Sequence, residues 1–291
     1  MTDPIVAVLT IVHGRHDHLV GMLRGLLAGS VTPDVLVVVA MDDAQVSALV
    51  AEVVGDAIVD VRVIEQPRVD GRLPLAAARN AAARAAVDAG ASVLVFLDVD
   101  CIPGAALVER YRRVAAPVAV PRIWAGAVHY LAPPADGSVY TATELAESAP
   151  HPARSVAPDG EVLREPDVRL FWSLSFAVTV ADWQTIGGFD ERYTGYGGED
   201  TDVAMRLDHR GGELWWVGGA PAYHQWHPVE DPPRSHLADI VRNSAVFEEQ
   251  WGHYPMGGWL EAFEAEGLVT RAAQSPTWHL TPAGRRAAHS D

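Results

Sequence analysis

Apolar residues fall in blocks along the first hundred positions. Ile5 to Val12, Val35 to Val39 and Val93 to Leu97 are apolar runs of strand length with polar or turn residues at their ends. Such runs describe strands buried on both faces of a parallel sheet. Between them, Leu19 to Leu27, Ala44 to Val54 and the alanine-rich Leu75 to Ala89 read as helices, the last of high intrinsic propensity. With Ile58 to Ile64 as a further strand, strand and helix alternate four times. This predicts right-handed βαβ crossovers and an α/β fold, a mostly parallel sheet with helices on both faces.

A helix over Ala105 to Ala115 and a strand over Val118 to Val128 follow, and then the pattern breaks. Ala132 to Pro166 carries six prolines among scattered Gly, Ser and acids. It is too long for an ordinary connection and is expected to act as a lid. Leu170 to Val180 reads as a strand, Ala181 to Ile186 as a short helix, and Glu199-Asp200 as the start of a helix that ends at Gly211-Gly212. Glu213 to Val217 is the last expected strand and Pro221 to Pro233 an irregular, His-rich strip. Ser235 to Trp251 and Trp259 to Glu266 read as helices. The expected organisation is one main domain, 1–233, with halves 1–116 and 117–233, and a small helical appendage, 234–291.

Composition narrows the function classes. The 291 residues are 49% hydrophobic and 21% charged, ordinary for a globular chain, and hold no apolar run long enough to cross a bilayer. The formal charge of −16 argues against nucleic acid and anionic membranes as partners. No secretory signal is visible at the start, so a cytoplasmic location is the expectation. The lone cysteine, Cys101, rules out a cysteine-based zinc cluster and reads best as a packing residue. There is no lysine, so phosphates have to be met by metal, arginine or backbone, with Arg15, Arg72 and Arg79 as candidates.

Three clusters carry candidate chemistry. Asp98 and Asp100 stand at the end of a buried strand, the edge where open α/β sheets bind ligands, and offer hard oxygen ligands to Mg²⁺ or Mn²⁺ on a diphosphate. Asp100 also reads as a cap for a helix starting near Pro103. The run Gly187-Gly188-Phe189-Asp190-Glu191-Arg192-Tyr193, continued by Gly195-Tyr196-Gly197-Gly198-Glu199-Asp200, brings glycines and acids to a helix N-terminus, whose partial positive charge keeps a carboxylate usable as a base. His224 and His227 offer imidazoles, one of which would join an aspartate on a metal. Trp172, Trp215 and Trp216 are open to stacking on sugars or to core packing.

Together these residues resemble the GT-A glycosyltransferases, specifically family 2 enzymes with the galactosyltransferase-like carboxyl half found in β-1,4-galactosyltransferases and bacterial chondroitin polymerases. The resemblance covers roughly Ile5 to Pro228. It rests on Phe96-Leu97-Asp98-Val99-Asp100, on Ala78-Arg79-Asn80 and on the run from Gly187 to Asp200. It implies a GT-A, Rossmann-like fold and metal-dependent transfer of a sugar from a nucleotide-sugar, UDP favoured and GDP open, to an acceptor hydroxyl with inversion.

It further implies that Asp100 and one of His224 and His227 hold Mn²⁺ or Mg²⁺, with Asp98 beside them at the donor. Asp200 would be the base, with Glu199 next to it. Asp42, Asp43, Arg79 and Asn80 resemble contacts to the nucleotide's base and ribose. His13-Gly14-Arg15 and Met41-Asp42-Asp43 depart from the usual first-loop and second-strand patterns, which leaves the nucleotide open. A retaining transferase, a nucleotidyltransferase and a non-catalytic sugar-binding module are the rival readings.

Overall fold

The computed structural model describes residues 3–57, 59–135, 139–271 and 277–288. Ile58, where the third strand is expected to begin, and residues 136–138 of the expected lid lie outside them. The amino half follows the expected order: β1 (Val6–Val12), α1 (His16–Leu27), β2 (Val35–Met41), α2 (Val46–Val54), β3 (Asp60–Gln66), α3 (Leu75–Asp88) and β4 (Val93–Leu97). Successive β1 residues face opposite sides. Ala7, Leu9 and Ile11 join the core under α3, whereas Val6, Val8 and Val12 join the core under α1 and α2. Burial on both faces is why these strands are apolar throughout.

The carboxyl half adds β5 (Cys101–Pro103), α4 (Leu107–Val114), β6 (Arg122–Tyr130), α5 (Ala142–Glu147), β7 (Ala149–Pro150), β8 (Val162–Glu165), β9 (Ser175–Thr179), α6 (Val180–Ile186), α7 (Glu199–His209) and β10 (Glu213–His224). The sheet runs β3-β2-β1-β4-β9-β6-β10-β5, with β7 on β6 and β8 on β10. β3, β2, β1 and β4 are parallel, β9 is antiparallel to β4 and to β6, and β10 runs parallel to β6. These directions bring the carboxyl ends of β1, β2, β4, β6 and β10 to one edge of the sheet, with the amino ends of β5 and β9.

Three expectations are corrected. Cys101 to Pro103 is a strand paired antiparallel with β10, and α4 begins only at Leu107, so Asp100 caps no helix. β10 does not stop at Val217; after a register shift it resumes at Ala222 and reaches His224, because β5 and β6 flank it there and satisfy its backbone. The Pro-rich stretch is not irregular throughout. Its Val162–Glu165 pairs with β10, and its α5 starts with a capping box between Thr141 and Glu144.

Beyond β10, α8 (Leu237–Trp251), α9 (Gly257–Ala265), the hairpin of β11 (Val269–Thr270) and β12 (His279–Leu280), and α10 (Pro282–Ala287) form the appendage. Leu237, Ile240, Leu260, Phe263, Val269 and Trp278 make its own small core, whereas Phe247 of α8 enters the main core. α8 thus belongs to both.

Candidate active site

β5–β10 pairing sets the first half of the site. His224 lies opposite Cys101, and the Gln225 N–H donates to the Asp100 carbonyl at 2.7 Å. This register brings both imidazoles to one carboxylate: His224 Nε2 and His227 Nε2 each lie 3.7 Å from Asp100 Oδ2. One ligand atom from each of the three falls within 4.8 Å of the others. Both histidines therefore converge where a single one was expected. His227 Nδ1 lies 2.9 Å from the Pro228 carbonyl, which can only accept, so Nδ1 donates there and Nε2 is the nitrogen turned toward Asp100. Burial pushes the His224 imidazole below its ordinary value against the pull of Asp100. Arg15 Nη1 also donates to Asp100 Oδ2, at 2.9 Å. Cys101 is fully buried and its thiol is pushed up by that burial, in line with a packing role.

The second half is organised by Arg79. Alanines 76, 78, 82, 83 and 86 of α3 are buried and let the helix approach the sheet closely. Arg79, 6% exposed, donates through Nη2 to Asp98 Oδ1 and through Nη1 to Glu199 Oε1, both at 3.1 Å. It ties the end of β4 to the start of α7. Burial lifts Asp98 to about 6, Arg79 opposing, and burial together with Asp200 lifts Glu199 to about 7. Asp200, raised by burial, accepts through Oδ1 from the Thr201 N–H at 2.7 Å and the Thr201 hydroxyl at 3.4 Å, and among the described residues it makes no ion pair. Arg79 and Asn80, expected at base and ribose, are both engaged within the protein. Arg79 is spent on two carboxylates, and Asn80 exchanges hydrogen bonds of 2.8 and 2.9 Å with the Phe189 backbone while also donating to Glu191. The Asn80 carboxamide fits there because Gly188, at φ +70°, lacks the Cβ that would stand 2.8 Å from its oxygen.

At the ends of β1 and β2, Asp43 accepts from the Gly14 N–H and bonds His16, both at 2.8 Å, which draws its carboxyl below the usual range against burial. Asp42, at φ 50°, accepts from Arg68 Nε at 2.7 Å. His13 Nδ1 donates to the Met41 carbonyl at 2.7 Å, leaving Nε2 to accept from Arg68 Nη2 at 2.9 Å. His13 and Arg68 had no signal in the sequence pattern. They come together only through β1–β2–β3 pairing.

The appendage reaches the site too. Asn243 of α8, fully buried, donates to the Tyr196 and Gly197 carbonyls at 3.2 and 2.8 Å. Asp239 accepts from the Tyr196 N–H at 3.2 Å and pairs with Arg72 at 3.4 Å, so Arg72 faces the appendage. Gly195 is required there, since a Cβ would meet Asp239 Oδ2 at 1.9 Å. The loop that delivers Glu199 and Asp200 is thus held from behind by α8. Of the tryptophans, Trp216 is core, donating to Glu165 at 2.8 Å, Trp215 packs with Trp124 and Arg122, and Trp172 lies under Arg154.

A family profile described as the N-terminal domain of galactosyltransferase matches residues 166–227. Validoxylamine A glucosyltransferase of Streptomyces hygroscopicus subsp. jinggangensis (strain 5008) is 46% identical over 41 residues, 14% of this chain and 10% of that protein. The chain thus covers about a tenth of the length of the curated relatives it matches. Among solved structures, the mannosyltransferase PcManGT from Pyrobaculum calidifontis, in complex with GDP-Man and Mn²⁺, superposes with a TM-score of 0.58 at 14% identity, over 99% of this chain and 79% of that one. GalNAc-T7 with UDP, GalNAc and Mn²⁺ gives 0.53 at 15% identity, over 90% and 55%. Among the described residues no helix is long and apolar enough to cross a membrane. The chain has the GT-A glycosyltransferase fold, and residues 166–227 carry a galactosyltransferase-type signature.

Proposed function

We propose that the protein is a metal-dependent glycosyltransferase that moves a sugar from a nucleotide-sugar, UDP favoured over GDP, to an acceptor hydroxyl with inversion. One observation carries this reading. The Asp100, His224, His227 cluster and the Glu199-Asp200 pair come to one sheet edge, cross-braced by Arg79. The relatives' names support it, since one is a glucosyltransferase and two solved structures hold a nucleotide or nucleotide-sugar with Mn²⁺.

The donor set fits a divalent ion: one carboxylate oxygen and two imidazole nitrogens that face it. Two imidazoles disfavour Mg²⁺, which prefers oxygen ligands and water, and leave Mn²⁺ the better of the pair. When bound, such an ion supplies Lewis-acid stabilisation of the charge that develops on the leaving nucleoside diphosphate.

The remaining work falls to side chains. Arg15, now on Asp100, is placed to turn to a phosphate oxygen. Asp43 fixes the Gly14 loop beneath the nucleotide. Asp200 accepts the proton of the attacking hydroxyl; Glu199 is excluded from that role by its bond to Arg79 and its depth.

Calorimetric titration of UDP and GDP in Mn²⁺ and in EDTA tests the reading. Metal-dependent binding is expected, and at a hundredfold ligand excess over Kd it stabilises the fold by about 2.7 kcal/mol. Equal affinity in EDTA would remove the metal site. Pyrophosphate instead of nucleoside diphosphate as product would favour a nucleotidyltransferase, and retention of anomeric configuration would remove Asp200 as base.

A further inference from the structure

Among the described residues, Arg79 and Arg154 are the buried arginines, and they are served very differently. Arg79 has two carboxylates. Arg154, 8% exposed, has no carboxylate within ion-pair distance, and its Nε and Nη2 are buried without a hydrogen-bond partner. Its Cζ lies 3.9 Å from the Trp172 ring centroid and 5.7 Å from that of Trp216.

Burying an unpaired cation is costly, and stacking on indole returns only part of that cost. A chain of charge −16 has no shortage of acids, yet among the described residues none is within ion-pair distance of this guanidinium. The arrangement has the form of a receptor. A guanidinium lying over an indole keeps its in-plane N–H groups free, and two parallel N–H groups match the oxygens of a carboxylate or phosphate.

Its position says which molecule brings the anion. The His151 ring packs edge-on against Trp172 at 4.9 Å and against Tyr130 at 5.6 Å, and Tyr130 stacks on His224 at 5.0 Å. Arg154 therefore ends an aromatic row that begins at the metal cluster, and its charge is felt by the Asp200 carboxyl. The diphosphate has its own receptor in that cluster. What reaches Arg154 is the part of a substrate beyond the diphosphate, on the side of the proposed base.

We propose that Arg154, framed by Trp172 and Trp216, is an oxyanion subsite that takes a carboxylate or phosphate carried by one of the two sugars being joined. This rests on the glycosyltransferase reading above. The anion could sit on the donor sugar or on the acceptor, and the two sources separate experimentally.

In the donor arm, UDP-glucuronate and UDP-glucose are titrated calorimetrically into the protein with Mn²⁺. In the acceptor arm, glucuronate, glucose 1-phosphate and glucose are compared by ligand-observed NMR on the protein with Mn²⁺ and UDP. In one arm the anionic sugar is expected to bind about tenfold or more tighter than its neutral counterpart, the worth of one charge-assisted hydrogen bond. The advantage should vanish in Arg154→Met and return only in part in Arg154→Lys, which restores charge without the fork.

Thermal melting guards against a folding artefact, since removing an unpaired buried charge should leave Arg154→Met no less stable than the parent. An anion advantage in neither arm, one that survives Arg154→Met, or a large fall in melting temperature would each overturn the subsite. Failure of the transferase reading is distinguishable, because it appears as metal-independent UDP binding, whereas the glucuronate and glucose comparison still reads Arg154.

Discussion

Asp98–Asp100 and Glu199–Asp200 are built alike and come from unrelated places, the first at the end of a strand and the second at the start of a helix. In each pair one member is locked on Arg79 and the other is not. Asp98 and Glu199 share its guanidinium, while Asp100 faces two imidazoles and Arg15, and Asp200 accepts from the Thr201 N–H and hydroxyl. In the proposed reaction one buried arginine would assign both roles: it takes up two carboxylates as structure and would leave one acid for metal and one for proton transfer. A pair of acids in sequence offers no such distinction.

The largest effect should come from the unlocked member of the second pair. Asp200→Asn keeps size and loses basicity, so turnover should fall by about 10² to 10⁴-fold while nucleotide-sugar affinity, read by calorimetry, stays near the parent's. A loss of donor binding with turnover at saturation intact would move Asp200 to the donor side and dissolve the division of roles.

Removing the lock itself comes next. Arg79→Met leaves two buried carboxylates without their cation, and breaking such a group costs about 3–5 kcal/mol, to be read from denaturant midpoints. A cost under about 1 kcal/mol would mean that Asp98 and Glu199 find other partners and that Arg79 assigns nothing.

The first pair is probed by Asp100→Ala, His224→Ala and His227→Ala. Each should weaken Mn²⁺-dependent UDP binding, by at least about 10-fold, with no silent histidine among them. Asp98→Asn should affect metal affinity less than any of the three. If one histidine change is silent, the converged cluster exceeds what the metal uses.

The amino half was legible because strands buried on both faces leave apolar blocks, and because parallel strands deliver their ends to a common edge. Asp98, Asp100, Asp43 and the Glu199-Asp200 helix start could therefore be named from residue order alone. What could not be read off is which side chains from elsewhere meet these acids. Arg79 read as a contact to phosphate, base or ribose, and the sheet places carboxylates at both its forks. His227 joined His224 because β10 runs on past a register shift that no periodicity announces. Asn243 left a faint trace, a polar residue among the buried positions Ile240, Val241, Ser244 and Phe247 of α8, but its targets are backbone carbonyls almost fifty residues earlier. Arg154 sat in a Pro-rich stretch whose pattern gave no direction to any side chain.

The smallest effect reads the lock by its protonation. Burial lifts Glu199 from 4.5 to about 7, so between those pH values the folded state holds a proton that the unfolded chain has released. Stability rises with pH only where the unfolded state binds more protons, and here the folded state binds more. The contribution of Glu199 is therefore fully present below about pH 4 and is lost as pH rises through about 7. Glu199→Gln cannot titrate, so subtracting its stability from the parent's at each pH isolates this group from the other acids. The difference should decline from pH 5 to pH 8, by something on the order of 1 kcal/mol. A difference that grows with pH would show Arg79 outweighing burial. Glu199 would then be a fixed carboxylate through neutral pH, and the two acids of the helix start would differ in position but not in their readiness to carry a proton.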